Sequence, residues 1–103
     1  MAPALSSLCA NVSGMFYVYM LKSDKTRFLY IGVTSDLRRR FSEHNSERAS
    51  REFTQRNKPW TLVYYEAYLN EQDARDREAA LKNYGANLGQ LRKRVKRSLE
   101  SAG

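Results

Sequence analysis

The sequence predicts a small α/β domain of the α+β kind, in which a three-stranded, largely antiparallel sheet is covered by helices in the order β-β-α-β-α-α. Three observations predict it. Runs rich in aromatic and β-branched residues lie at Phe16–Leu21, Phe28–Val33 and Trp60–Tyr68, the composition of strands. The first two runs are joined by the short polar segment Ser23-Asp24-Lys25-Thr26, which implies an antiparallel hairpin. The remaining stretches carry apolar residues at helical spacing.

A chain of 103 residues supports one compact domain. Its 42% hydrophobic content, with seven tyrosines, four phenylalanines and one tryptophan, suffices for a core. Residues 1–14 mix small and polar residues without a period and read as a flexible tail, so the single domain spans 15–103. After the second strand, Thr34-Ser35-Asp36 offers N-cap oxygens for a helix to about His44. Residues 45–58 are polar, hold four basic residues and end before Pro59. They read as a long, functional loop. Beyond the third strand, Asn70 with Asp73 resembles a capping box opening a helix that stops near Gly85. A last helix starting at Asn87 shows an apolar stripe of Leu88, Leu91, Val95 and Leu99 among Arg92, Lys93, Arg94, Lys96 and Arg97.

Eighteen basic against eleven acidic residues leave a formal charge of +7, which predicts attraction to polyanions such as nucleic acid. Cys9 is the single cysteine, so an internal disulfide and a cysteine-rich zinc site are excluded and a reduced, cytoplasmic setting is expected. No apolar run approaches the roughly 18 residues a membrane span needs, and the opening stretch lacks the charged and apolar regions of a signal peptide. The oligomeric state is open, a monomer being preferred.

Amphipathic spacing aims several polar groups inward. Arg40 and His44 follow Leu37 by three and seven residues and share its face with Phe41. Glu78 lies between Ala74 and Leu81 on the inward stripe of the next helix, where a carboxylate needs a cation or a strong donor. A buried Arg40–Glu78 ion pair that only joins the helices explains this pattern as well as a catalytic pair does. Tyr17, Tyr19 and Leu21 share one strand face, and Tyr30 shares another with Gly32. A glycine inside an apolar strand permits close approach by a ligand or a packed neighbour.

Together these residues resemble the GIY-YIG nuclease family, specifically its small stand-alone bacterial members. Tyr30-Ile31-Gly32 is the second signature intact, and Tyr17-Val18-Tyr19 is the first with tyrosine in place of the leading glycine. The likeness continues from Val33 to Asn45, through Trp60-Thr61-Leu62-Val63-Tyr64-Tyr65-Glu66, and through Ala74 and Arg77-Glu78 to Leu81-Lys82. It implies a metal-dependent endonuclease hydrolysing phosphodiester bonds in DNA, of the repair or recombination type. Tyr19 and Tyr30 would then line the site, Arg40 would contact the scissile phosphate, and Glu78 would hold Mg²⁺ or Mn²⁺. His44 occupies a place where relatives carry histidine or tyrosine. Many members use an asparagine near the last helix, for which Asn87 and Gln90 are both candidates.

In that mechanism Tyr19 accepts or relays the water proton, with His44 as the rival base. Arg48, Arg51, Arg56 and Lys58 of the loop, with Lys82, Arg92 and Lys93, would hold the nucleic acid by phosphate contacts that carry little sequence information. Selection by shape or structure is expected over sequence-specific cutting. A non-catalytic nucleic-acid-binding module of the same fold is the competing reading, and a protein-interaction domain with a basic helix is a third.

Overall fold

A computed structural model of the protein describes residues 14–46 and 52–101. The elements run β1 (Phe16–Ser23), β2 (Leu29–Thr34), α1 (Leu37–Asn45), α2 (Glu52–Asn57), β3 (Trp60–Tyr68), α3 (Glu71–Asn83), α4 (Gly85–Arg94) and α5 (Lys96–Ser101). The strands form one antiparallel sheet in the order β2-β1-β3, which puts β1 at the centre. The expected α+β class and the expected strands are therefore present.

Two expectations about helices need correction. The stretch 45–58, read as a loop, contains α2. Six residues are too few to display a period, and tertiary contacts form this helix instead. Thr54 and Asn57 are buried, Trp60 Nε1 donates to the Thr54 carbonyl at 3.0 Å, and Ser23 Oγ donates to the Asn57 carbonyl at 2.6 Å. The final helix starts at Gly85 and is interrupted at Val95, giving α4 and α5. Its apolar stripe is as expected, because Leu91 and Val95 are buried and Leu88 and Leu99 pack against the same core. The loop cations Arg48 and Arg51, and tail residues 1–13, lie outside the described residues.

The central strand is covered on both sides. Val18 and Met20 join Ile31, Ala74, Leu81, Leu91 and Val95 in the core under α3 and α4. Tyr17, Tyr19 and Leu21 point the other way, into a second core with Leu37 and Trp60 under α1 and α2. This is the two-residue period of a strand buried on both faces. In β3 the register jumps at a bulge: Met20 pairs with Tyr64, but Leu21 pairs with Leu62. The extra residue, Val63, reverses the parity of the strand. Trp60 and Leu62 consequently share the tyrosine face, while Tyr64 and Tyr68 pack on the other.

On that other face Glu66 joins β3 to α3. Its carboxylate accepts from Arg77 Nε at 3.0 and 3.2 Å, from Arg77 NH2 at 3.0 Å, from the Tyr64 hydroxyl at 2.7 Å and from the Tyr68 hydroxyl. Burial alone would raise the Glu66 pKa, but the hydrogen bonds from Arg77, Tyr68 and Tyr64 outweigh it and hold the carboxyl below its ordinary range. The same contact pushes Tyr68, already raised by burial, up to about 12. A carboxyl depressed on folding stabilises the fold above its unfolded-state value, and that contribution is lost as pH falls through the folded one. Glu66→Gln should therefore cost about 1–3 kcal/mol at neutral pH. Urea titrations at pH 7 and pH 3 should show the difference between variant and parent shrinking at the lower pH.

Candidate functional site

Tyr19, Tyr30 and His44 meet on the tyrosine face of the sheet. Asp36 turns the chain out of β2 and caps α1: its Oδ1 accepts from Arg39 N at 3.1 Å, and its own N–H donates to Thr34 Oγ1 at 3.0 Å. The helix so placed buries Leu37 and His44, the inward face that the spacing predicts.

Tyr19 is the floor of the site. It stands opposite Gly32 in the β1–β2 ladder, and its ring lies over that glycine so closely that a Cβ there would meet the hydroxyl at 2.5 Å and Cζ at 2.7 Å. Gly32 thus serves a packed neighbour, one of the two uses expected of it. The Tyr19 hydroxyl is 2.8 Å from His44 Nε2. The Tyr30 ring stacks 6.2 Å from Tyr19 and lies 4.6 Å from the imidazole, forming a half-buried wall. Burial raises the Tyr19 phenol far above its ordinary pKa, Tyr30 adds to this, Arg40 works against it, and the negative charge of Glu78 raises it further.

Arg40 is near enough to the phenol to lower its pKa, with a side chain 38% exposed. Its Nε lies 3.1 Å from Glu43 Oε1, but off the direction of its N–H, and Arg40 Nε is shielded from solvent without an acceptor. Glu78 comes from α3, between the buried Ala74 and Leu81. Among the described residues its ion pair is with Lys82 Nζ at 3.0 Å, and its side chain is 21% exposed. The buried Arg40–Glu78 pair that the spacing also allowed is not the arrangement found: each has a different partner on its own helix.

The remaining candidates are dispersed. Lys58 Nζ donates to the Ser46 carbonyl at 3.3 Å, and Arg56 is exposed at the end of α2. Arg92 lines a groove with Lys22, Arg27, Leu29, Leu99 and Glu100, and Lys93 is exposed. Asn87 and Gln90 line a pocket of about 220 Å³ with Arg77, Leu91 and Arg94. None of the tyrosine-face groups contributes to it. Sequence reading passed over Lys22, Arg27 and the Glu66–Arg77 clamp. The alternation of Tyr64, Glu66 and Tyr68 is the signal that could have revealed the last.

Among the described residues no cluster of three or more His, Cys, Asp or Glu side chains could hold a metal ion. A lone, partly open carboxylate whose competing cation is a surface lysine fits a hard divalent ion that keeps most of its waters. Among the described residues no helix is long and apolar enough to cross a membrane.

A three-stranded antiparallel sheet thus carries a buried tyrosine–histidine pair, with an arginine on α1 and an acid on α3. Residues 15–92 match the model of the GIY-YIG catalytic domain, and the chain belongs to that family, a family of nucleases. Its relatives include UPF0213 proteins. One from Desulfotalea psychrophila is 36% identical over 81 residues, covering 78% of this chain and 68% of the relative. One from Clostridium perfringens is 37% identical over 73 residues, covering 71% and 76%. One from Streptococcus pyogenes serotype M5 is 37% identical over 67 residues, covering 64% and 70%. No solved structure matches the chain significantly.

The Tyr19–Gly32 contact makes a sharp prediction. In Gly32→Ala the methyl group must displace a stiff, buried ring that is hydrogen-bonded at its far end. Denaturant unfolding should show a loss of about 1–3 kcal/mol, and the histidine ring protons should shift by NMR as the Tyr19–His44 contact changes.

Proposed function

We propose that the protein is a metal-dependent endonuclease that hydrolyses phosphodiester bonds in DNA and selects substrates by shape or structure, in repair or recombination. The observation that carries this reading is the buried Tyr19 phenol, 2.8 Å from His44 Nε2, on a helix that also carries Arg40 with its shielded Nε left without an acceptor.

Arg40 binds the non-bridging oxygens of the scissile phosphate, where a planar guanidinium suits paired acceptors. Its acceptorless Nε supports this role. Glu78 would hold a divalent cation, Mg²⁺ or Mn²⁺, in place of Lys82, and that ion would supply neutralising charge for the phosphate and the departing oxygen. Tyr19 is not a resting phenolate, because burial opposes the charged form. It acts as a relay: its oxygen takes a proton from the attacking water as its hydroxyl proton passes to His44 Nε2. Imidazole then stores the proton, the side chain best matched to neutral pH. Tyr30 restricts the space around that imidazole. Arg56, Lys58, Lys82, Arg92 and Lys93 contribute phosphate contacts, which favour affinity over sequence reading.

Incubating the protein with single-stranded, duplex, flap and branched DNA, with Mg²⁺, Mn²⁺ or chelator, tests the reading. Cleavage should require metal and fall about 10²–10³-fold in Arg40→Ala and Glu78→Ala. Cutting that survives in both variants, or in chelator, contradicts it.

The relay has a separate signature. Tyr19→Phe and His44→Ala should each slow cleavage about 10²-fold or more, and the double variant should be little slower than either alone.

A further inference from the structure

From the tyrosine-face site a series of aromatic rings leads out to the surface. Tyr30 lies 6.2 Å from Trp60, Trp60 lies 5.9 Å from Phe53, and Phe53 lies 5.4 Å from Phe28. The inner members are covered, with Trp60 only 2% exposed, whereas Phe28 is 53% and Phe53 37% exposed. Phe28 immediately precedes β2, which begins at Leu29, and its ring packs on Phe53 of α2. A large apolar pair at the rim is poorly explained by packing alone, because both rings leave much of their surface in water.

The charges around this pair have one sign in excess. Lys25, Arg56 and Lys58 stand in the flanking segments against Asp24. Asp24 is engaged, its Oδ1 accepting from Thr61 Oγ1 at 2.7 Å. Lys25 Nζ donates to the Arg56 carbonyl at 3.3 Å, which ties the β1–β2 turn to α2. Aromatic faces set among cations are the ordinary means of holding unpaired nucleotides, the rings stacking bases while the cations follow the phosphates. A base-paired helix keeps its base faces stacked internally and offers such a platform nothing.

We propose that Phe28 and Phe53 form a stacking platform for an unpaired base of the nucleic acid, adjoining the scissile phosphate. Phe53 and Trp60 connect Phe28 to Tyr30, so a base on Phe28 lies at the outer end of the ring series that begins at the tyrosine-face site. The substrate class is nucleic acid with a single-stranded segment at the cut: a flap, a gap or a frayed junction. The position relative to the cut rests on the nuclease reading, but the binding does not.

The test is equilibrium binding of the full chain in chelator to fluorescein-labelled oligodeoxythymidylate of about 12 nucleotides and to a hairpin duplex of matched charge. Phe28→Ala should weaken single-strand binding about 5- to 100-fold. Duplex affinity and the salt dependence of binding should stay unchanged, since no phosphate contact is removed. Phe28→Trp should retain or improve single-strand binding, with indole fluorescence quenched on stacking. An unchanged thermal midpoint confirms intact folding at this exposed position. Equal loss for both ligands, or no loss for either, overturns the platform. Phe28-dependent binding by a protein that cuts nothing leaves the platform standing and overturns the nuclease reading. Metal-dependent cutting of flaps that ignores Phe28→Ala does the reverse.

Discussion

The contact on which the site depends is the ring of Tyr19 lying flat against the missing side chain of Gly32. The two residues are direct ladder partners, and any other residue at position 32 would occupy the space of the phenol. Because the ring can lie down, its hydroxyl reaches His44 on α1, and the helix can close over the sheet with Arg40 beside the same phenol. The strand pairing, the placement of α1 and the grouping of polar atoms are consequences of one close approach. Such an approach has a cost in water access. It leaves the phenol poorly solvated, which opposes its ionised form.

The two layers around the sheet divide the work, and Glu78 crosses the division. Its helix packs Ala74 and Leu81 into the core with Val18 and Met20, opposite the tyrosine face, yet its charge acts on Tyr19. The clamp of Glu66 on Arg77, the residue before Glu78, fixes α3 to an edge strand. Glu78 is thereby carried by a helix anchored to β3.

Much of this was legible in the sequence, because the informative signals were local or periodic. The three strands, the Asp36 and Asn70 caps and the inward aim of Arg40, His44 and Glu78 follow from side-chain spacing alone. The Tyr30-Ile31-Gly32 and Tyr17-Val18-Tyr19 pair carried the family resemblance. What could not be read depends on tertiary contact. Helix α2 exists because Trp60 and Ser23 bind its backbone, and nothing in a polar hexapeptide announces those partners. The bulge at Val63 leaves no compositional trace, since every neighbour is apolar or aromatic, yet it decides that Trp60 faces the tyrosines. The spacing left Glu78 a choice of partners, and only the fold selects Lys82 over Arg40.

Asn45, the last residue of α1, has a consequence of a different kind. Its side-chain Nδ2 donates to the Trp60 carbonyl at 3.0 Å, and its Oδ1 accepts from the Trp60 N–H at 2.5 Å. A carboxamide therefore offers the outer edge of β3 the donor and acceptor that a neighbouring strand would present. Open strand edges invite pairing with other chains, and here the first rung is already taken by a one-residue decoy. The sheet can remain three strands wide because a helix terminus imitates the fourth.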